Sequence, residues 1–280
     1  MNNRRAFIKT LTGLGAITAL PDVNLFASPQ GKVNDQHMPA KLRFALASDG
    51  HYGQPDVDSD KHFSDLIGWI NAEHQKQPLD FIVINGDIVH DKPELLRVVK
   101  ETYFSRFKIP FYALPGNHDH ADTEIWKSVF GYDDNYSFIK NGVGFVLANT
   151  SNLKGEYICP DKEFLKRELD KLINKAIVFL VLHIPPYRWL PEESFFMQCE
   201  PVIELLHSYA NIKAVFHGHD HSLDTVRYTR KLPHFFDGHF GGNWGTEYKG
   251  YRIVEVNEQN KISTYQVNGS LNPIINRSKA

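Results

Sequence analysis

At 280 residues the chain can form one large domain or two small ones, and with 42% hydrophobic and 23% charged residues and no low-complexity segment it has an ordinary globular composition. A formal net charge of only -2 leaves no basic footprint for a nucleic-acid polymer. The 14 histidines are the more telling number, because neutral imidazole is the commonest side-chain ligand for transition metals.

The chain opens on Arg4 and Arg5, followed by Phe7 and Lys9, then an apolar run from Leu11 to Leu20 that is too short to span a bilayer as a helix. Leu25-Phe26-Ala27 provides a small residue suited to cleavage. Arg4-Arg5-Ala6-Phe7-Ile8-Lys9 resembles a twin-arginine export signal, with Asn3 where Ser or Thr is usual. That resemblance implies a periplasmic protein with no membrane span once residues 1–27 are removed. Removal would take three basic groups and one acid, moving the net charge from -2 to -4. Residues 28–40 read as a polar linker, and 41–280 as one domain. Cys159 and Cys199 would pair in an oxidising compartment or stand as two partly buried thiols.

From Lys41 onward, strand-like and helix-like runs alternate. Strands are expected at Leu42–Ser48, Phe81–Asn85, Pro110–Leu114, Gly144–Thr150, Ile177–His183 and Ile212–His217. Helices are expected at Asp60–Gln75, from Pro93, at Glu124–Phe130, Asp161–Ile173 and Pro201–Tyr209. After Ser222 the pattern changes to strands alone, at Asp224–Tyr228, Pro233–Phe236, Gly250–Val256 and Lys261–Val267, which read as a terminal meander. Mixed sheets covered by helices on their outer faces accommodate both halves, giving an α/β fold.

Metal-ligating residue types follow these strands one after another. Asp49 and His51 flank Gly50, and in extended backbone residues two apart project to one side. Asp87 ends an apolar strand through Gly86 and has two oxygens with which to bridge two cations; Asp91 completes Gly-Asp-x-x-x-Asp and could support the site from outside. Gly116-Asn117-His118-Asp119 offers a neutral amide ligand, an imidazole able to face a leaving group, and a carboxylate able to hold the other ring nitrogen. His183 precedes two prolines that fix its backbone. His219 and His221 repeat the two-apart spacing. On the substrate side, Tyr187, Arg188 and Trp189 follow those prolines, while Asn243 and Trp244 lie in a glycine-rich aromatic loop; these could stack on a base or sugar and grip a phosphate.

Order and placement together resemble the calcineurin-like metallophosphoesterase superfamily, over Leu42 to His221. The resemblance implies a four-layer sandwich of two mixed sheets flanked by helices, with the site at strand ends. It implies two divalent or trivalent ions (Mn, Fe, Zn or Co), one held by Asp49, His51, Asp87 and His221. Asp87 would bridge to the second, held also by Asn117, His183 and His219. A hydroxide shared by the ions would attack phosphorus, with His118 as general acid oriented by Asp119. Purple acid phosphatases place Gly where His51 stands and Tyr where His90 stands. Gly86 to Asp91 and His183-Ile184-Pro185-Pro186 look more like bacterial class III cyclic-nucleotide phosphodiesterases. The reading is therefore a hydrolase for a small phosphoester, with diesters ahead of monoesters. A ligand-binding module on an inactive scaffold is the contrasting class, disfavoured because every ligand position and His118 are intact.

Overall fold

The computed structural model describes residues 40–271 and the backbone of 274–279. The expected export segment and all but the last residue of the linker lie outside the described residues. In chain order the elements are β1 (Ala40–Ala47), α1 (Ser59–Lys76), β2 (Phe81–Asn85), α2 (Leu95–Thr102), β3 (Phe111–Leu114), α3 (Thr123–Phe130), β4 (Tyr136–Lys140), β5 (Val143–Ala148), α4 (Lys162–Lys171), β6 (Val178–Leu182), α5 (Glu200–His207), β7 (Ile212–His217), β8 (Val226–Thr229), β9 (Leu232–Phe236), β10 (Gly250–Asn257), β11 (Ile262–Asn268) and β12 (Ile274–Lys279). They form two six-stranded mixed sheets, ordered β12-β11-β10-β1-β2-β3 and β4-β5-β6-β7-β9-β8.

Alternation along β1 shows how the layers arise. Leu42, Phe44 and Leu46 enter the core between the sheets, with Phe81, Phe145, Phe179 and Phe216. Ala45 and Ala47 point the opposite way, where small side chains let α1 approach through Phe63, Leu66, Ile67 and Ile70. The outer face of the second sheet is covered likewise by α4 and α5, through Leu165, Leu169, Val202 and Leu206. Helix, sheet, sheet, helix is the expected four-layer arrangement. Three of the five helices, α1, α3 and α4, begin at side-chain caps: Asp58 accepts from Lys61 N, Asp122 from Ile125 N, and Asp161 from Glu163 N and Phe164 N.

Two expectations need correction. The run of strands after Ser222 is no single meander: β8 and β9 pair with each other and β9 joins β7, whereas β10 crosses to the first sheet and pairs with β1. Local alternation carries no information about which sheet a strand joins. The strand β4 was also not foreseen; it is an edge strand beside β5 with every residue partly or fully exposed, so its pattern lacks a buried face.

β1, β2 and β3 run parallel in one sheet, and β5, β6, β7 and β9 in the other. Ligand-binding residues in such sheets gather beyond the carboxyl ends of the strands. Asp49, Asp87, Asn117, His183 and His219 all follow such an end within three residues.

Candidate metal centre

Asp49, His51, Asp87, Asn117, His183, His219 and His221 are all buried beyond these strand ends. Two sets bring their ligand atoms within 4.8 Å of one another: Asp49, His51 and His221, and Asp87, His183 and His219. In the first, His51 Nε2 lies 3.0 Å from His221 Nε2, and Asp49 Oδ1 lies 3.2 Å from His221 Nε2. In the second, Asp87 Oδ2 is 3.2 Å from His183 Nε2. The same oxygen is 3.6 Å from His51 Nε2, so Asp87 stands between the sets. Its other oxygen is fixed by the His118 backbone N–H at 2.8 Å.

The backbone bears the cost of this convergence. Asp49, His51, Asp87 and His219 have φ of 62°, 49°, 49° and 72°, in the left-handed region that L-residues seldom occupy. Asp49 and His51 therefore share a side because the chain turns, not because it is extended as the spacing suggested. Such strain persists where surrounding contacts enforce it and gathers at functional sites. The loops are tied to one another by backbone bonds from Asp49 N to Gly86 O, His51 N to Asp87 O, Gly218 N to His183 O and Gly241 N to Asp49 O. The motif glycines give clearance: a Cβ on Gly116 would sit 2.2 Å from Asp87 Oδ1, and one on Gly218 2.6 Å from Asp49 Oδ2.

Whether this donor set suits cations can be tested on its polar atoms. Buried polar atoms are nearly always hydrogen-bonded. Yet Asn117 Oδ1 and His219 Nε2 have no hydrogen-bonding partner among the described residues, and His183 Nε2 meets only ligand-set carboxylates. All three belong to the expected second ligand set, and the mixture of carboxylate, amide and imidazole suits borderline divalent ions. Electrostatics agree. Burial pushes Asp49 up, but the His221 and His183 imidazoles outweigh it and hold its carboxyl at about 2. Burial is likewise outweighed at Asp87, chiefly by His183, and its carboxyl lies well below the usual range. Burial pushes His51 and His219 down to about 3. His183 goes the other way, to about 9, because Asp87 and Asp49 overcome its desolvation. Its proton is the one that a cation would displace.

His118 sits at the margin of the set, one-third exposed, and its Nδ1 lies 2.7 Å from Asp91 Oδ1. The orienting carboxylate is thus Asp91, not Asp119. Asp119 is fully buried and accepts backbone N–H bonds from Val89 and Gly116, so it shapes the loop that presents Asn117 and His118. Burial opposes charge on His118, but Asp87 and Asp91 outweigh it and raise its pKa. Asp91 also meets His120 Nε2 at 3.1 Å, and His90 Nδ1 lies 3.1 Å from His51 Nδ1. If His51 presents Nε2 to a cation, its Nδ1 carries the proton and donates to His90. The role of His90 was not apparent beforehand; its place three residues beyond Asp87 was the only signal.

Tyr187, Arg188 and Trp189 lie in packing within their loop and against β8 and β9. Trp189 Nε1 donates to Tyr228 O at 2.9 Å and its ring meets Phe196, His234 and Phe236, while the Arg188 guanidinium donates to Phe196 O at 3.1 Å. Trp244, in contrast, stacks on His221 at 4.0 Å and 5°, and Asn243 Oδ1 accepts from Gln54 Nε2 at 3.1 Å. Tyr157 and Phe195, neither singled out beforehand, meet His219 edge to face at 4.9 and 5.8 Å. Cys159 and Cys199, whose pairing was open, form a disulfide.

Residues 42–223 match the family model described as calcineurin-like phosphoesterase. The chain belongs to that family. Among curated relatives of this calcineurin-like phosphoesterase is one from Arcobacter nitrofigilis named probable glycerophosphodiester phosphodiesterase, 24% identical over 71% of this chain and 74% of that one. Another, from Pseudoalteromonas sp., is named probable cyclic nucleotide phosphodiesterase and is 26% identical over 80% of this chain and 91% of its own. Among solved structures, a dimetal phosphatase from Danio rerio superposes with a TM-score of 0.70 at 13% identity, covering 86% of this chain and 99% of that one. A purple acid phosphatase from yellow lupin gives 0.65 at 12% identity, over 85% and 53%. At those identities, both show the shared fold.

Proposed function

We propose that this metallophosphoesterase is a binuclear phosphodiesterase acting on a small phosphoester outside the cytoplasm. The observation that carries the reading is the position of Asp87 Oδ2 between the two ligand sets, beside two buried ligand atoms, Asn117 Oδ1 and His219 Nε2, that have no hydrogen-bonding partner among the described residues. Asp49, His51, Asp87 and His221 would hold one ion, and Asp87, Asn117, His183 and His219 the other. The group so held (Mn, Fe, Zn or Co) supplies Lewis acidity and an activated water for attack on phosphorus. Around it, the protein's own residues do the remaining work. Asn117 contributes a neutral donor, which limits negative charge where an anionic phosphate must enter. His118 holds a proton on its ring with Nδ1 anchored to Asp91, leaving Nε2 to protonate the departing alkoxide. Asp91 keeps that ring oriented and favours its charged form.

Preference for diesters is supported by the Gly86 to Asp91 and His183 to Pro186 segments, and by the printed names of the two curated relatives. Export is supported by Arg4 and Arg5 and by the Cys159–Cys199 disulfide, since such bonds persist in oxidising compartments. Metal-loaded protein is expected to turn over bis-p-nitrophenyl phosphate faster than p-nitrophenyl phosphate. On a diester with an alkoxide leaving group, His118→Ala should slow cleavage by about 10²- to 10⁴-fold with metal content unchanged, and p-nitrophenolate release should fall less. A preference for the monoester would make the enzyme a phosphatase, and full activity in His118→Ala would remove the general-acid assignment.

A further inference from the structure

Large apolar rings seldom stand exposed together on a monomer without a purpose. Tyr157, Phe195 and Trp244 are 38%, 44% and 39% exposed, and each touches a candidate metal ligand: Tyr157 and Phe195 the His219 ring, Trp244 the His221 ring. Phe195 and Trp244 also lie nearly parallel, with centroids 5.8 Å apart at 22°. The three come from separate loops. Tyr157 is in the segment between β5 and α4, Phe195 in that between β6 and α5, and Trp244 in that between β9 and β10. Cys159, two residues after Tyr157, is bonded to Cys199, four residues after Phe195. A second tie, from Ile184 N to Thr150 Oγ1 at 3.0 Å, joins the same two loops at their bases. Within the second loop Phe196 is buried against Trp189 and Phe236, which turns its neighbour Phe195 outward over His219.

We propose that Tyr157, Phe195 and Trp244 form an aromatic wall that selects phosphodiesters bearing a flat aromatic ester group, and that the Cys159–Cys199 disulfide is the positioning element that holds two of its three rings. The proposal rests on the phosphodiesterase reading above. Planar rings offer stacking and edge contacts to another planar ring that an alkyl or glycerol group cannot match. A loop tie costs nothing at the moment of binding, because the rings are already ordered. Neither Cys159 nor Cys199 touches the site; they act through the loops.

p-Nitrophenyl phenyl phosphate and p-nitrophenyl methyl phosphate share a leaving group, so the difference between them reports on the second substituent. Wild-type enzyme should show the lower KM for the phenyl diester. Phe195→Ala should raise that KM about tenfold relative to the KM for the methyl diester, and Phe195→Tyr should restore the ratio. The double variant Cys159→Ser, Cys199→Ser should raise the same KM about threefold. An unchanged phenyl-to-methyl ratio in Phe195→Ala overturns the wall. Equal loss on both substrates in the cysteine variant overturns the positioning role. Calorimetric binding of diphenyl phosphate and dimethyl phosphate separates this proposal from the one beneath it. Should neither diester be hydrolysed, the hydrolytic reading falls, while preferential binding of diphenyl phosphate sustains the wall and equal affinity overturns it.

Discussion

The interior between the sheets and the edge where the strands end are equally dry, yet they are built on opposite terms. Between the sheets, Phe44, Phe81, Phe145, Phe179 and Phe216 fill space with rings whose only demand is contact. Phe44 stacks on Phe81 at 5.0 Å and meets Phe145 edge to face at 5.1 Å. At the edge, four residues hold left-handed backbone, two carboxylates face four imidazoles, and Asn117 Oδ1 and His219 Nε2 have no hydrogen-bonding partner among the described residues. The first region contributes stability and the second consumes it. The edge persists because the strands beneath it are too well packed to yield.

That contrast can be broken by substitution in either region. Asp87→Asn should abolish most metal binding and lower diester turnover by more than about 100-fold, since even partners outside the ligand shell cost 10- to 100-fold. Without added metal its unfolding midpoint should also fall, because Asp87 is the counter-charge that outweighs the burial of the His183 imidazolium. Metal analysis and thermal unfolding on one preparation check both halves; an unchanged or higher midpoint without metal would mean that this charge pair does not support the fold. Phe179→Ala should act on stability alone. It should cost about 3–5 kcal/mol of stability, read by urea unfolding, while the folded fraction keeps its metal content.

A smaller effect sharpens the comparison at a polar site within the second sheet. His217 Nδ1 lies 2.9 Å from Leu182 O, so it donates there and its Nε2 accepts from His234 Nδ1, while His234 Nε2 accepts from Thr229. This chain needs a neutral His234, and burial does push that imidazole well below its usual pKa. A histidine so depressed stabilises the fold at pH 7 and loses that contribution as pH falls below about 6.5, where the unfolded chain takes up the proton first. Between pH 7 and pH 5 the loss attributable to His234 is about 2 kcal/mol. His234→Gln should reduce the pH dependence of unfolding by that amount, and an undiminished dependence would reject the assignment.

Much of the fold was legible because parallel strands buried on both faces read as continuous apolar runs, as Val178 to Leu182 does, and because their ends carry the ligand residues. The ligand set was legible for the same reason: once strand ends share an edge, residues just beyond them converge. What escaped were facts settled across loops. Asp119 adjoins His118 in sequence, yet Asp91, 27 residues earlier, meets its ring, because Asp91 N bonds His118 O and brings those two loops together. Phe195 and Phe196 look alike in sequence, and only packing against Trp189 and Phe236 decides which is buried. Likewise the destination of β10 depends on an unpaired edge of β1 more than 200 residues earlier, which no local pattern reports.

That last pairing bears on how the protein comes into being. β1 lies between β2 and β10, and its register runs from Ala40 opposite Asn257 to Leu46 opposite Arg252. During synthesis the first of the described strands must therefore wait for almost the last, its apolar edge open while the ribosome completes the intervening chain. Pairings so distant in sequence slow folding and prolong exposure to aggregation. A nascent chain arrested before Gly250 would carry all seven candidate ligand residues and every strand of the second sheet, yet leave one edge of β1 in the first sheet unpaired.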